Sequence, residues 1–492
     1  SFQPQPLATS LDANVNTIFL VNESRLYRAF DPTGAGQLMS ALTALVNDLN
    51  SDNTEPVNDG LVAQIVYLDG IAEYGAWDAT PCDIDAANDV VVAITAHLVA
   101  IGAMDTDGTG ADYVTVVGGD EFVPFARMDD LTQTGNQEQY AGAITDGTPL
   151  RAAFETRHYL SDNPYCDRDP IQGWLNGELY VPDAACGRVV ESWQEITRTF
   201  LNYVEFDGML DLETGAVAAY DFLQDVGNAT VDQFSAITAP ATAIEPTPFD
   251  LWTNTDFEAM LDTAFGPGDP VLGSFNAHYN HYQLLPAFSS ANTENPADFV
   301  PSTDLYGTGD LKSQFGIEAD SVFDPFTSGA GQLAGSLLMT VGCNAGVSWS
   351  DIVVGTSPGS DDWAQVWSRS GAAGYVASNG FAYGHPFAVA ATELQHLLFV
   401  DELDGTKRLG MALTDAKQEY FARSGVYGVY DDKVMGEFTL YGLPIWQLPL
   451  SATPLPDIET YDLQPDASTG LASVSLSITP EYTATPTDVG TF

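Results

Sequence analysis

LLMTVGCNAG (Leu337–Gly346) is the stretch on which the reading of this chain turns. Ser336–Val341 is a short apolar run of the kind that forms a fully buried strand. Such a strand delivers the residues after it to the carboxyl edge of a sheet, where open α/β folds bind their ligands. Gly342 lets the backbone come close to a neighbour, and Gly346 allows a sharp turn. Between them stands Cys343. A second run, VLGSF (Val271–Phe275), leads in the same way to His278. A thiol at a sheet edge attacks a carbonyl carbon once a base or cation favours its thiolate, and His278 can be that partner. The backbone N–H groups of Cys343 and of Tyr279, just after the histidine, suit an oxyanion hole. The bland alternative is a small buried hydrophobe, the commoner role of a cysteine after an apolar strand.

Outward from these two runs, strands alternate with helical patterns, the mark of a mostly parallel sheet covered by helices. Strands are predicted at Thr17–Val21, Val62–Leu68, Tyr113–Val117, Ala216–Tyr220, Ala373–Ala377 and Glu437–Tyr441, with Glu178–Val181 as a short strand near an edge. Helices are predicted over Gly36–Leu49, Asp83–Ile101, Glu191–Val204, Val231–Ala236, Asp256–Ala264, Phe387–Leu403 and Arg408–Ala422. The expected organisation is an N-terminal α/β part (1–205), a second α/β part carrying Cys343 (206–450) and a Pro/Thr-rich tail (451–492) that reads as a linker or the start of a β module.

The chain has 15 Lys and Arg against 68 Asp and Glu, a formal net charge of −53 over 492 residues. Such a surface repels nucleic acid and anionic membranes, so neither is expected as a partner. High salt or bound divalent cations would make the charge tolerable, which points to a halophilic, marine secreted or calcium-loaded surface setting. No apolar run reaches the length of a membrane span, and Ser1–Asp12 lacks the pattern of a signal peptide, so the chain reads as processed or as a piece of a longer surface protein. Cofactors are not needed for the chemistry proposed, and structural calcium is left open. The segment Asp105–Asp112 alternates carboxylates with Gly as calcium loops do, but lacks their closing Glu, and a solvated turn is the preferred reading. His278 and His281, three apart, could share a metal. No acidic partner pattern supports that, and His281 is expected to be structural. Cys166 and Cys186 fit either a disulfide or two buried thiols.

Seven blocks in order resemble the gingipain-like (C25-type) cysteine peptidases of the caspase-like clan. They are YVTVVGGDEFVPFAR (Tyr113–Arg127), YLSDNPYCD (Tyr159–Asp167) with ELYVPDAACGRVVES (Glu178–Ser192), FNAHY (Phe275–Tyr279), LLMTVGCNAG, GAAGYVASNGFAYG (Gly371–Gly384), LGMALTDAKQEYF (Leu409–Phe421) and FTLYGLPIWQL (Phe438–Leu448). The resemblance implies a caspase/gingipain-like sheet and a cysteine endopeptidase with His278 and Cys343 as its dyad. It also implies cleavage after Arg or Lys of a peptide or protein substrate, in an extracellular or cell-surface setting. An acid at the base of the S1 pocket matches Asp221, with Asp225 as the alternative, and Tyr383 matches an aromatic of that pocket. The chain departs from the pattern in three places. Tyr279 stands where the family has Gly, 65 residues separate His278 from Cys343, and Gly-Leu-Pro replaces Gly-Asp-Pro near the end. These departures keep a second reading alive, a non-catalytic module of a larger surface protein.

Overall fold

The buried apolar runs of the sequence become the interior of one nine-stranded sheet. The computed structural model describes residues 5–51, 60–105, 110–175, 177–220, 223–238, 252–266, 268–287, 305–319, 323–350, 361–385, 388–451 and 453–463. In chain order the strands are β1 (Thr17–Val21), β2 (Ala63–Tyr67), β3 (Tyr113–Val117), β4 (Ala126–Asp129), β5 (His158–Ser161), β6 (Ile171–Trp174), β7 (Gly177–Leu179), β8 (Ala185–Val189), β9 (Thr214–Ala218), β10 (Val271–Phe275), β11 (His278–Tyr279), β12 (Gln283–Leu285), β13 (Tyr306–Gly307), β14 (Leu337–Met339), β15 (Gly374–Ser378) and β16 (Phe438–Gly442). The large sheet has the order β2-β1-β3-β8-β16-β15-β14-β10-β9. All its pairings are parallel except β15 with β16. Strands β2, β1, β3 and β8 lie on one side of β16, and β15, β14, β10 and β9 on the other. The late strand β16 joins the two sets.

Helices cover the sheet because their apolar stripes require it. In the helix Pro32–Ser51, Leu38, Leu42, Leu45 and Leu49 are wholly buried at helical spacing. Each contributes roughly 1.5–3 kcal/mol by leaving water. Asp83 caps Ile84–Ala100 by accepting from the N–H groups of Asp85 and Ala86, and Ser192 with Glu195 forms a capping box on Trp193–Glu205. Such caps satisfy amides that a helix leaves unpaired.

The structure corrects one strand. Gly177–Leu179 pairs only with Ile171–Trp174, in a hairpin apart from the large sheet. The strand that enters the sheet is the following one, Ala185–Val189 (ACGRV), between β3 and β16. Its arginine hid it. Arg188 is fully buried, clasped by both oxygens of Asp162 at 2.9 and 2.6 Å and by the carbonyls of Gly118 and Val123. Its guanidinium also lies over the Phe125 ring at 3.7 Å. A buried charge with every guanidinium nitrogen bonded is tolerated where a lone one would not be. Cys166 and Cys186 are joined in a disulfide, which decides between the two readings of that pair. Residues 453–463 pack back onto the body, where Val389 N–H donates to Asp462 O at 3.0 Å. Residues 106–109, half of the Asp105–Asp112 segment, lie outside the described residues. Among the described residues no helix is long and apolar enough to cross a membrane.

Candidate active site

β10 and β14 lie side by side, with Leu272, Gly273 and Ser274 opposite Leu337, Leu338 and Met339. Side chains extend the ladder past its last backbone pair. Thr340 Oγ1 donates to Phe275 O at 2.6 Å, and Val341 N–H donates to Asn276 Oδ1 at 3.0 Å. His278 and Cys343 each stand two residues beyond this cross-link. Adjacent strands are about 4.8 Å apart, so both residues leave the sheet at one edge from neighbouring strands.

His278 opens β11, opposite Leu285 of β12. Its ring meets Tyr220 edge-on at 5.2 Å, beyond the end of β9. Burial holds its imidazole down to about 4, so it is neutral near pH 7. Tyr279 follows in the same short ladder, opposite Leu284. Its ring lies against Gly342, where an added Cβ would come within 2.3 Å of it. The glycine before Cys343 is thus matched to the tyrosine after His278.

Cys343 is buried, with 5% of its surface exposed, and its Sγ lies 3.7 Å from Ala382 O. Burial pushes the thiol well above its ordinary range. The Glu437 carboxyl adds to the rise, and Lys433 opposes it. At rest the site therefore holds a thiol and a neutral imidazole. A preformed ion pair would require both shifts to reverse.

The turn after Cys343 is held by residues the sequence did not reveal as functional. Asn344 has φ of +56°, a conformation asparagine tolerates better than most residues, and its N–H donates to Gly380 O at 2.6 Å. Gln137 Nε2 donates to Asn344 Oδ1 at 2.7 Å. The signal that could have pointed here is Cys-Asn-Ala-Gly itself, with Asn and Gly at turn positions. Gln137, some two hundred residues away, left no local signal. Tyr140 joins the same region. Its hydroxyl lies 2.6 Å from His281 Nδ1 and accepts from the His281 N–H at 3.0 Å. His281 is buried, with Trp349 against its ring at 4.7 Å.

Of the residues matched to an S1 pocket, Asp221 lies outside the described residues. Asp225 sits in the first turn of Gln224–Ile237, its carboxyl pushed up by burial. Tyr383 is fully buried, and its hydroxyl donates to Gly135 O at 2.8 Å. For a cation, Asp167, Asp169 and Asp183 each place an oxygen within 4.8 Å of the others. Burial raises the Asp167 carboxyl to about 7.

No protein-family model matches the chain, and no curated protein is similar to it in sequence. The likeness to solved structures is one of fold. The Arg-specific cysteine proteinase gingipain R is 14% identical, with a TM-score of 0.51, over 93% of this chain and 82% of that one. The complex of the pro- and mature domains of RgpB from Porphyromonas gingivalis is 14% identical, with a TM-score of 0.50, over 90% of this chain and 81% of that one. The mostly parallel sheet flanked by helices is thus the gingipain-type, caspase-like fold.

Proposed function

We propose that this protein is a cysteine endopeptidase in which Cys343 attacks the peptide carbonyl and His278 carries the proton. The observation that supports this most is the Asn276–Val341 cross-link, which sends the two residues from adjacent strands to one edge of a peptidase fold. In the proposed cycle the thiol proton passes to His278 and sulfur bonds to the carbonyl carbon. The N–H groups of Cys343 and Tyr279 take up the developing oxyanion charge. The proton then passes to the leaving amine as the peptide bond breaks, and water hydrolyses the thioester.

Asp221 is assigned to the base of the S1 pocket, facing Arg or Lys. Tyr383, with no exposed surface, would shape that pocket from behind. The test is cleavage of peptides with Arg, Lys, Leu and Asp at P1. Basic residues should be preferred, and Asp221→Ala should lower cleavage after Arg by about 100-fold or more, since it leaves a desolvated guanidinium unpaired. Preference for Leu or Asp, or an unchanged Arg preference in the variant, would remove Asp221 from this role.

The resting protonation has a consequence for reactivity. With the thiol raised and His278 neutral, the thiolate fraction grows about tenfold per pH unit up to the thiol's own pKa. Iodoacetamide should therefore modify Cys343 slowly at pH 7, and ever faster up to pH 10. A plateau already present below pH 7, read by mass spectrometry of the Cys343 peptide, would instead mean a preformed thiolate–imidazolium pair.

An extracellular or surface setting is supported by the Cys166–Cys186 disulfide, since such bonds persist in oxidising compartments. Structural calcium stays part of the proposal, and Asp167, Asp169 and Asp183 beside that disulfide are described carboxylates close enough together to hold an ion. Chelator at fixed ionic strength should lower Tm, and should not do so in Asp183→Asn. An unchanged Tm in the parent protein would end the calcium assignment.

A further inference from the structure

The first three strands of the sheet stand in the order β2-β1-β3. The chain goes from β1 outward to β2 and then back across β1 to β3. At the carboxyl ends of β1 and β3 the connections diverge to either side, and this is where open α/β sheets form their ligand crevice. A cavity of about 300 Å³ lies there, lined by Arg25 after β1, Asp120 and Glu121 after β3, and apolar Trp77, Pro149 and Leu150. That volume is at the lower end of ordinary ligand pockets. Part of its wall is Ser348–Ser350, a few residues beyond Cys343.

Most charged groups in this wall are already engaged. Arg25 donates from Nε to Glu121 O at 2.7 Å and from Nη1 to Asp78 at 2.5 Å, with its guanidinium 4.5 Å from the Trp77 ring centre. Asp120 is held by both terminal nitrogens of Arg127, at 2.7 and 2.6 Å. Two atoms are different. Glu121 Oε1 and Trp349 Nε1 are both covered, and neither has a hydrogen-bond partner among the described residues, while Ser350 bonds the Glu121 carboxyl. Trp349 as a whole is 8% exposed. Buried polar atoms are nearly always bonded, and an exception calls for a missing partner. Here the exceptions are one acceptor and one donor in the wall of a single cavity. Gly119 leaves room for the carboxyl, since a Cβ there would lie 2.6 Å from Glu121 Oε2.

We propose that this cavity binds an amide-bearing ligand, a short peptide segment whose N–H donates to Glu121 and whose carbonyl accepts from the Trp349 indole. An amide supplies both functions a short distance apart, whereas an amine supplies only the donor and a carboxylate only the acceptor. The apolar walls take an attached aliphatic side chain. Burial raises Glu121 to about 7, so the ionised acceptor is populated above pH 7, where the binding is to be read. The site does not depend on the dyad. It connects to it through Trp349, whose ring packs on His281, itself tied to Tyr140. A bound peptide here would therefore press on the neighbourhood of Cys343.

The test uses the full chain carrying Cys343→Ala, so that no turnover is needed and failure of the peptidase proposal leaves the result readable. The probe is N-acetyl-leucinamide, followed by the indole N–H resonance of Trp349, assigned by its loss in Trp349→Phe. Titration should move that resonance with the millimolar Kd expected of so small a ligand. Glu121→Gln, which keeps size and shape, should weaken binding about tenfold by replacing a charge-assisted acceptor with a neutral one. Butylamine and acetate should leave the resonance in place. The proposal is overturned if the amide leaves the resonance unmoved up to its solubility limit. It is equally overturned if butylamine alone moves it, which would make the cavity a cation site, or if Glu121→Gln binds the amide as the parent does.

Discussion

Cys343→Ala should lower kcat/KM for peptide hydrolysis on the order of 10³-fold or more, because no second nucleophile replaces the lost covalent route. That is about 4 kcal/mol of transition-state stabilisation. Cys343→Ser should fall almost as far, since a neutral imidazole in a buried site is a weak base toward a hydroxyl. His278→Ala should lose about 10²–10⁴-fold, the usual share of a general base. The double variant should be little worse than Cys343→Ala alone, because the two residues serve one step. Structure should survive. Cys343 packs as a small buried side chain, and removing one sulfur there costs about 1 kcal/mol. Active-site titration and urea unfolding on the same preparations separate the two effects. Hydrolysis surviving in Cys343→Ala, once contaminating protease is excluded, would sink the dyad, whereas no hydrolysis by the parent, with Cys343 inert to alkylation, would leave the fold as a non-catalytic module.

What could be read from the sequence was what is local. Thr17–Val21 and Tyr113–Val117 are buried strands because five consecutive apolar or β-branched residues have few other uses, and Val271–Phe275 keeps enough of that character to follow them. The edge to which His278 and Cys343 are delivered follows from the same runs. Ala185–Val189 escaped because its strand character depends on Asp162, which neutralises Arg188 from 26 residues away. The joining of the sheet's two halves was equally hidden. It depends on β16, the last strand of the sheet, pairing with β8 on one side and antiparallel to β15 on the other. The support of the Cys343 turn could not be read at all, because Gln137 meets Asn344 across 207 residues. Periodicity reports which face of an element is buried. It carries no information on which polar side chains will meet there.

The largest stability effect is expected at such a meeting. Lys433 and Asp130 are 303 residues apart in sequence, 2.8 Å apart in the fold, and both fully buried. Lys433 also donates to Gly135 O at 2.7 Å, while Asp130 Oδ2 accepts from the Gln137 N–H at 2.7 Å. The pair thus pins the loop from 130 to 137, and with it the glutamine that grips Asn344 beside Cys343. Removing either charge alone strands the other in a low-dielectric interior, at about 3–5 kcal/mol. Lys433→Met and Asp130→Asn should each show that loss in urea midpoints. The double variant should lose less than the two single losses together, by about 1–3 kcal/mol, because it leaves no stranded charge. In Asp130→Asn iodoacetamide should also modify Cys343 faster than in the parent, since a loosened loop releases Gln137 from Asn344, whereas Lys433→Met also removes a charge that favours the thiolate. Single variants unfolding at the parent midpoint would show that the pair contributes little. Lost stability with an unchanged alkylation rate would show instead that the pair holds the fold without holding the turn at Cys343.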